Sequence, residues 1–365
     1  MYGCLVASAR DRVRCRERLE RLSESSLDRE SIQCEAIADL RRVIGFDRWC
    51  WPLADPEALV PLGAGVAEHD YGPAVGRSLE LEYSGGDVAT MNVPARRRNP
   101  VGSLRVETGG DLARSPRWDE VLRPVGIGDE AVVACRDAFG CWGWLKAYRD
   151  DDDASFAEHD LELLAQVGPT LGSALRRTLG EARREIPAAP SSPGVVVLDP
   201  DLQAVSWTAG AREWIDAFPL AGLFAAWGIL PSTVYPVAAL ARSQKGSTGT
   251  HALERTVDGR WVRIEAAQLE GQPNAQIAVT LRAATSRETF DLLCRACALS
   301  PREREVVAAL LGGLDTRAVS ARLCISPHTV QDHLKSVFRK TGAHSRRELL
   351  ARFSGASDAT PTPRT

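Results

Sequence analysis

Residues 299–314 have the sequence LSPREREVVAALLGGL, which contains a complete set of helix signals. Ser300 and Glu303 have the spacing of a capping box, in which each side chain bonds the backbone amide of the other, and Pro301 suits the first helical position. Apolar residues then recur at helical spacing up to a glycine pair at 312–313, and glycine favours the end of a helix. The segment therefore predicts a short amphipathic helix.

Three more helices follow this one in the sequence. Asp315, Ser326 and Ser345 are residue types that cap helices, and each of them precedes a run of apolar residues at helical spacing. The second and third helices are separated only by a tight connection at 324–325. Four short helices with one tight connection predict a helix-turn-helix over residues 299–353.

The third predicted helix has two different faces. Val330, Leu334 and Val337 recur at helical spacing and are expected to face inward. The opposite face would present side chains to the major groove of DNA, where each base pair has a distinct pattern of donors and acceptors. The candidate base-reading residues are Gln331, Asp332 and Lys335. The candidate contacts to DNA phosphates are Ser326, Thr329, Arg339, Lys340, Arg346 and Arg347.

Charge is divided unevenly along the chain. The 365 residues include 45 Lys and Arg against 48 Asp and Glu, a net charge of −3. Residues 300–353 contain ten basic and five acidic residues, so their net charge is +5, whereas the residues before 300 sum to −8. All nine tryptophans also precede residue 300. A basic module attached to an acidic body indicates a polyanionic partner, here double-stranded DNA.

Together these residues resemble the LuxR-type helix-turn-helix. The resemblance implies a four-helix domain that binds DNA as a homodimer and regulates bacterial transcription, with Gln331, Asp332 and Lys335 at the base-reading positions. Gln331 stands where the family usually has a basic residue, which favours adenine over guanine, and Asp332 would either accept a hydrogen bond from cytosine or repel phosphate. The matching motifs are LSPREREV at 299–306, VSARLCIS at 319–326, Thr329-Val330, His333-Leu334, Arg339-Lys340 and His344-Ser345-Arg346.

Residues 1–184 have the pattern of an α+β domain. Apolar residues between 32 and 44 recur at helical spacing, and Gly45 ends the run. Ser155 and Glu158 have capping-box spacing and predict the start of a long helix, which Pro169 should kink. The runs typical of β-strands are 46–51, 58–62, 131–136 and 141–148.

Two sensor folds are indicated before the helical module. Residues 1–184 resemble a GAF domain through Ile44-Gly-Phe-Asp47, the late strand at 140–148 and the closing segment at 167–176. This resemblance implies a sheet with helices that often encloses a small-molecule pocket. Residues 194–284 look like a PAS-type fold through Gly194–Asp199 and a hairpin with its turn at Asp258-Gly259.

The predicted fold is therefore multidomain, with α+β sensor domains, GAF-like and then PAS-like, followed by an all-α four-helix LuxR-type helix-turn-helix domain. The predicted segments are 1–184 as the GAF-like domain, 185–193 as a proline-rich linker, 194–284 as the PAS-like domain, 285–298 as a connecting helix, 299–353 as the helix-turn-helix and 354–365 as a disordered tail.

Four tryptophans are candidates for a sensor pocket. Trp49 and Trp51, like Trp142 and Trp144, are two residues apart on a predicted strand, so each pair is expected to share one face of a sheet. Aromatic residues line many small-molecule pockets, and a small-molecule effector is one interpretation. Packing in the core of the sheet is the favoured alternative.

Cys294 and Cys297 form a Cys-x-x-Cys motif directly before the helix-turn-helix. A thiol pair at this position could act as a redox switch. A single such motif without a second pair or a nearby histidine does not make a zinc site, so no metal is expected. Because the segment has a helical pattern, packing in an apolar core is the favoured interpretation of both cysteines.

The sequence lacks the motifs that are typical of several enzyme classes. None of the four lysines follows Gly and precedes Ser or Thr, so there is no Walker A motif, and neither Gly-x-Ser-x-Gly nor His-Glu-x-x-His occurs. We therefore expect a regulator without enzymatic activity or cofactor. A nucleotide- or ester-processing enzyme with a DNA-binding appendage is the alternative.

The sequence also bears on location. Residues 1–9 lack the basic leader of a signal peptide. Residues 217–241 have no charged side chain, but Pro219, Pro231 and Pro236 divide them into runs too short to cross about 30 Å of hydrocarbon. We expect a cytoplasmic protein with reduced thiols and no membrane contact.

Overall fold

A computed structural model of the protein describes residues 7–68, 72–181, 192–243, 250–270 and 276–353. The predicted linker at 185–193 lies outside the described residues except for 192–193, and the predicted tail at 354–365 lies wholly outside them. The α-helices in these ranges are α1 (Ala9–Glu24), α2 (Arg29–Ile44), α3 (Val75–Tyr83), α4 (Asn92–Arg96), α5 (Leu104–Thr108), α6 (Glu158–Glu181), α7 (Ala209–Asp216), α8 (Ala221–Ala226), α9 (Val234–Ser243), α10 (Ser286–Ala296), α11 (Pro301–Leu311), α12 (Thr316–Leu323), α13 (Pro327–Thr341) and α14 (Arg346–Phe353). The strands are β1 (Arg48–Ala54), β2 (Pro61–Glu68), β3 (Val101–Ser103), β4 (Ile127–Asp137), β5 (Gly140–Asp150), β6 (Gly194–Leu198), β7 (Ala204–Trp207), β8 (Thr250–Arg255), β9 (Trp261–Gln268) and β10 (Ile277–Ala283).

The first unit, residues 7–181, is built on an antiparallel five-stranded sheet with the order β2-β1-β5-β4-β3. Helices α1, α2 and α6 cover one face of this sheet, and their apolar residues form one core with the strands. Helix α2 ends at Gly45, whose φ of 68° lies in the left-handed region that glycine adopts without strain. The predicted apolar face of α2 is thus confirmed, and α6 packs its own apolar residues on the same side of the sheet.

The opposite face of the first sheet buries an ionic network. Arg117 donates two hydrogen bonds, of 3.0 and 2.7 Å, to the two carboxylate oxygens of Glu130, and Lys146 donates to Glu82. All four side chains are 3% exposed or less. Charges buried this deeply need partners, since an unpaired buried charge is strongly destabilising. The network therefore places paired charges beside apolar residues of the same face, such as Val132 and Trp144.

The second unit, residues 192–283, contains another antiparallel five-stranded sheet, with the order β7-β6-β10-β9-β8. When the strands are numbered within each unit, both sheets have the order second, first, fifth, fourth, third. Helices α7, α8 and α9 lie between the second and third strands of this unit in sequence, and α9 packs on the sheet through Val234 and Val237, both fully buried. The predicted hairpin with its turn at Asp258-Gly259 is present between β8 and β9.

The first and second units are packed directly against each other. Residues from both contribute to one continuous apolar core. The backbone N–H of Gly63 donates a 2.8 Å hydrogen bond to Glu254 across the junction. Arg242 of α9 makes an ion pair of 2.7 Å with Glu80 of α3. The two units are therefore joined by an extensive interface in addition to the chain that connects them.

The C-terminal unit, residues 286–353, is all-helical. Helices α12 and α13 are connected by a tight turn in which Cys324 adopts a left-handed conformation with a φ of 53°. The hydroxyl of Ser320 donates a 2.5 Å hydrogen bond to the carbonyl oxygen of Ile325 and closes the turn. The side chains of Val330, Leu334 and Val337 are buried in the core of this unit, as predicted.

Helix α10 belongs to the core of the C-terminal unit and is more than a connection. Its residue Leu293 lies in the same apolar cluster as α11, α13 and α14, and the ring of Phe290 lies 5.8 Å from that of Phe353. On its other side, Arg176 of α6 donates a 3.1 Å hydrogen bond to the carbonyl oxygen of Ala296. The helix therefore links the C-terminal unit to the first unit.

One local prediction for the first unit is corrected. Helix α6 begins at Glu158, so Ser155 lies too far before it to form the predicted capping box. Asp160 instead accepts a 3.1 Å hydrogen bond from the backbone N–H of Ala157. Pro169 lies within this helix, which continues for three more turns beyond it and packs on the sheet.

The uncharged segment at 217–241 contributes to α8 and α9, and α9 is largely buried in the second unit. Across the described ranges, none of the helices combines the length and apolar character needed to cross a membrane.

Candidate nucleic-acid interface

Helix α13 is capped at both ends by its own sequence. The hydroxyl oxygen of Ser326 accepts a 3.1 Å hydrogen bond from the backbone N–H of Thr329, and Pro327 occupies the first helical position. Gly342, with a φ of 63°, ends the helix. These local signals define the limits of α13, and its buried stripe defines which face turns outward.

The outward face of α13 presents the three residues predicted to read bases. Gln331, Asp332 and Lys335 are all exposed, and the side chain of Lys335 is 76% accessible to solvent. Positions 331 and 335 are one turn apart, and 332 is their neighbour on the helix surface. The structure thus brings these three side chains together on an open surface.

Asp332 is the centre of a small ion-pair cluster on this surface. Its carboxylate oxygens lie 3.1 Å from Nδ1 of His328 and 3.5 Å from Nζ of Lys335. An exposed pair of this kind contributes about 0–1 kcal/mol to stability, so the cluster orients the side chains without fixing them. Lys335 therefore meets an approaching polyanion with part of its charge already balanced by Asp332.

His328 was not identified from the sequence, although the structure places it on the same face. Its side chain is 86% exposed and lies one turn before Asp332. The spacing of four residues between a histidine and an aspartate on one predicted helix is a signal that could have revealed it.

The residues predicted to contact phosphates divide into two groups. Ser326, Arg339 and Arg347 are exposed, so their side chains are accessible to a ligand. Thr329 and Arg346 are half-buried, and Nη2 of Arg346 donates a 2.6 Å hydrogen bond to the carbonyl oxygen of Leu314. The structure therefore gives Arg346 a role in holding α14 against the turn after α11.

Lys340 is engaged within the C-terminal unit. Its Nζ lies 2.7 Å from Oε2 of Glu303, the capping-box glutamate of α11. Burial alone would raise the pKa of this carboxyl, but hydrogen bonds from Lys340, Ser336 and Ser300 hold the pKa of Glu303 at about 2. The carboxyl of Glu303 therefore stays ionised at neutral pH, and its contact with Lys340 joins α13 to α11.

The four candidate pocket tryptophans are buried, but they do not share one surface. Trp49, Trp51 and Trp142 lie in the core between the first sheet and α1, α2 and α6, whereas Trp144 lies in the core shared with the second unit. The expectation that Trp142 and Trp144 share a face is wrong. Cys135 pairs with Gly143 and Arg136 with Cys141, so Trp142 is the extra residue of a β-bulge that reverses the alternation.

Cys294 and Cys297 are both buried in the core of the C-terminal unit. Burial raises the pKa of the Cys294 thiol to about 12 and also raises the pKa of Cys297. The thiolate is the reactive form of cysteine. Because both thiols are buried and have raised pKa values, we expect both to react slowly in this conformation. Within the ranges that the structure describes, no three His, Cys, Asp or Glu side chains are grouped as metal ligands.

Comparison with known families identifies the C-terminal unit. Residues 297–353 match the family described as bacterial regulatory proteins of the luxR family. Over short segments the chain is similar to the transcriptional regulatory protein FixJ of Azorhizobium caulinodans, with 41% identity over 73 residues, 19% of this chain and 35% of FixJ. It is also 36% identical over 58 residues to GfsR of Streptomyces halstedii, 16% of this chain and 24% of GfsR. The chain thus spans about a third or less of the length of these relatives.

The solved structures that align with this chain have low sequence identities and low TM-scores. Escherichia coli SdiA aligns over 93% of this chain and 95% of its own, at 12% identity and a TM-score of 0.29. The phycoerythrobilin-bound GAF domain of a cyanobacterial phytochrome aligns over 47% of this chain and 98% of its own, at 16% identity and a TM-score of 0.30. What the comparisons establish is local: the chain contains a LuxR-family helix-turn-helix domain at residues 297–353, and its relatives there are transcriptional regulators.

Proposed function

We propose that this protein is a sequence-specific DNA-binding transcriptional regulator that couples a signal received by its first two units to promoter binding. The observation that supports the proposal is the exposed face of α13, with Gln331, Asp332 and Lys335 on a helix whose opposite face is buried. A helix of this width fits the major groove, and these side-chain types can pair with base edges. In this proposal the protein has no catalytic role and acts in the bacterial cytoplasm, where the chromosome lies.

The phosphate contacts would come from the margins of the same surface. Ser326, Thr329, Arg339 and Arg347 lie at accessible or partly accessible positions around α13. Lys340 and Arg346 were proposed for the same role, and each would reach DNA only by exchanging its present partner for a phosphate. Backbone contacts of this kind fix the position of the helix on the duplex and contribute a salt-dependent share of affinity.

Two copies of the chain are expected to bind one operator. A homodimer would place its two α13 helices about one helical turn of DNA apart, roughly 34 Å, on a pseudo-palindromic site. Each copy would then contribute one half-site, and the binding curve would depend on protein concentration more steeply than for a monomer.

The first and second units are proposed to sense the signal, as GAF-like and PAS-like domains respectively. The shared strand order of the two sheets is consistent with related roles. Their direct packing and the contact between α6 and α10 offer a physical route by which a change in either unit would reach the C-terminal unit.

The proposal is tested by selecting duplexes that bind the full chain from a random pool, followed by footprinting of the enriched sequence. We expect an enriched site with two half-sites. On that site Lys335→Ala should weaken specific binding by roughly 1–3 kcal/mol, because a base or phosphate contact is lost. The control is Arg302→Ala, which removes an exposed charge of α11 that pairs with Glu305. Absence of any enriched site, or equal binding by both variants and the unaltered protein, would refute the proposal.

A further inference from the structure

A large cleft lies where the first unit, the second unit and α10 meet. Its volume is about 680 Å³, within the range of 300–1,000 Å³ typical of small-molecule sites. The first unit contributes the segment before α2, the end of β1 and the last turns of α6. The second unit contributes β8, the hairpin turn and the start of β9, and α10 contributes Leu292. The first unit, the second unit and the C-terminal unit therefore all border this space.

Most of the wall is apolar. Leucine side chains and two tryptophan rings, contributed by both units, line this space. A pocket of this composition gains free energy by removing hydrocarbon or aromatic surface from water. The larger apolar side chains around the cleft include Leu53, Trp142, Leu179, Leu253, Trp261 and Leu292.

One cation in the wall lacks a partner. Nε of Arg29 is enclosed by the protein and donates to no acceptor, and Arg29 makes no ion pair with any residue of the described ranges. Burial lowers the pKa of this guanidinium, although Asp28 and Glu30 act against that change. Because Nε itself is closed to solvent, a ligand in the cleft would meet the rest of the guanidinium, for which no hydrogen bond or ion pair is found within the described residues.

The other ionisable groups deeper in the cleft are already engaged. The carboxylate of Asp55 accepts hydrogen bonds from the backbone N–H groups of Glu57 and Leu253, each 2.8 Å long. Glu254 accepts from Gly63 and from a threonine hydroxyl. The guanidinium of Arg255 lies 6.0 Å from the Trp261 ring and donates to the carbonyl oxygen of Gly259. Among the charged side chains that line the cleft within the described residues, Arg29 is the cation that makes no hydrogen bond or ion pair.

We infer that the cleft binds a small monocarboxylate with an apolar body, whose carboxylate is received by Arg29 and whose hydrocarbon or aromatic part lies against the leucines and tryptophans. A guanidinium fork matches one carboxylate in a bidentate geometry. A doubly charged phosphate fits less well than a single carboxylate, because Asp28, Glu30, Asp55 and Glu254 border the same space and oppose each additional negative charge on a ligand. The inference rests on the proposed sensing role and specifies where the signal binds and of what chemistry it is.

The position of the cleft connects occupancy to the DNA-binding unit. A ligand there would touch Leu179 near the end of α6, Trp261 at the start of β9 and Leu292 of α10. Helix α10 is part of the C-terminal core, through Leu293 and Phe290. A ligand can change the position of the C-terminal unit only if it binds more tightly to one arrangement of the three units than to another. Its contacts with α6, β9 and α10 are where such a difference in affinity would arise.

The test is calorimetric titration of the full chain with octanoate, with octanol as the uncharged probe of equal chain length. We expect octanoate to bind at one site per chain and octanol to bind at least about tenfold more weakly, because octanol offers the guanidinium a neutral oxygen in place of a charged carboxylate. Arg29→Gln should reduce octanoate affinity to that of octanol. Arg10→Gln is the matched control, because Arg10 is also in the first turn of a helix but is exposed.

A second variant tests the location without changing charge. Thr178→Trp places a large ring in the cleft from α6 and should abolish binding of octanoate while the far-ultraviolet circular dichroism stays unchanged. Equal affinity for octanoate and octanol, no binding of octanoate, or unaltered binding by Arg29→Gln would overturn the inference. The same preparations are assayed for DNA binding, so loss of octanoate binding with intact DNA binding refutes only this inference, and the reverse result refutes only the proposed function.

Discussion

The backbone N–H of Gly63 donates a 2.8 Å hydrogen bond to Oε1 of Glu254, and this bond joins the first unit to the second. Oε2 of the same carboxyl accepts a hydrogen bond from the hydroxyl of Thr233. Glu254 is fully buried, and no cation lies within ion-pairing distance of it among the residues that the structure describes. Burial raises the pKa of Glu254 to about 7, and the two hydrogen bonds lower it only in part.

This carboxyl predicts a stability that depends on pH. Since its pKa rises from 4.5 to about 7 on folding, the folded state binds more protons, so stability is complete below about pH 4.5 and is lost as pH rises through about 7. The full loss corresponds to about 3 kcal/mol. Glu254→Gln keeps an acceptor for Gly63 and removes the charge. We expect the variant to be more stable than the unaltered protein at pH 8 and nearly equal at pH 5, by urea denaturation.

The matched control for this experiment is Glu17→Gln, because Glu17 is an exposed residue of α1. Its difference in unfolding free energy from the unaltered protein should stay constant between pH 5 and pH 8. A constant difference for Glu254→Gln as well would contradict the assigned pKa.

We expect the negative charge of Asp332 to lower the affinity of the protein for DNA. Its carboxylate balances part of the charge of Lys335 and would lie near phosphates. Asp332→Asn removes this charge, so non-specific affinity should rise several-fold, and the slope of log K against log salt should become steeper by about one unit. Fluorescence anisotropy with a random-sequence duplex at several salt concentrations measures both quantities.

Glu305→Gln is the control for Asp332→Asn, because it changes the net charge equally but lies on α11, paired with Arg302. We expect a smaller effect from it. An equal gain in affinity from both variants would mean that overall charge, and not the position of Asp332, controls binding.

The first unit has no space for a side chain at Gly172. A Cβ at this position of α6 would lie 2.6 Å from the backbone nitrogen of Arg136 in β4, closer than real contacts allow. Gly172→Ala should destabilise the protein by about 1–3 kcal/mol, since helix and strand must separate. Gly222→Ala is the control, because nothing lies within 4 Å of its Cβ position. Chemical denaturation should find the control unchanged or slightly stabilised; similar losses for both would refute the close contact.

The cysteines predict a pattern of chemical labelling. Cys34 and Cys324 are exposed, whereas Cys294 and Cys297 are buried and have raised pKa values. Brief treatment with iodoacetamide at pH 7 should label the first two and leave the Cys-x-x-Cys pair unmodified until the protein is denatured. Peptide mass spectrometry measures each site. Rapid labelling of Cys294 or Cys297 in the native protein would favour the redox-sensor alternative instead.

The C-terminal unit was predictable in detail because its signals are local. Ser300, Asp315 and Ser326 each cap the helix that follows them, as predicted, through a hydrogen bond to an amide three residues along. The inward stripe of α13 follows from a period of 3.6 residues. Such signals depend on neighbours a few positions away, so a single sequence is sufficient to locate the helices and the outward face with Gln331 and Lys335.

The candidate contacts to DNA were less predictable one by one. Whether Lys340 is free depends on Glu303, which is 37 residues away in sequence and meets it only because α11 and α13 cross. The orientation of Trp142 depends on a bulge that appears only when β5 pairs with β4. Contacts between elements that are distant in sequence, rather than any local pattern, determine both outcomes.

The sequence by itself determined the helices of the basic module, the limits of α13 and the order of the units along the chain, because caps, glycine stops and apolar periodicity act over one or two turns. Only the tertiary structure decided that the first and second units share a core, that α10 packs into the C-terminal unit, and that Arg29 faces a cleft beside residues more than 200 positions away. These features depend on which surfaces meet once the elements have formed. Those contacts are determined by the total burial of side chains that are far apart in sequence.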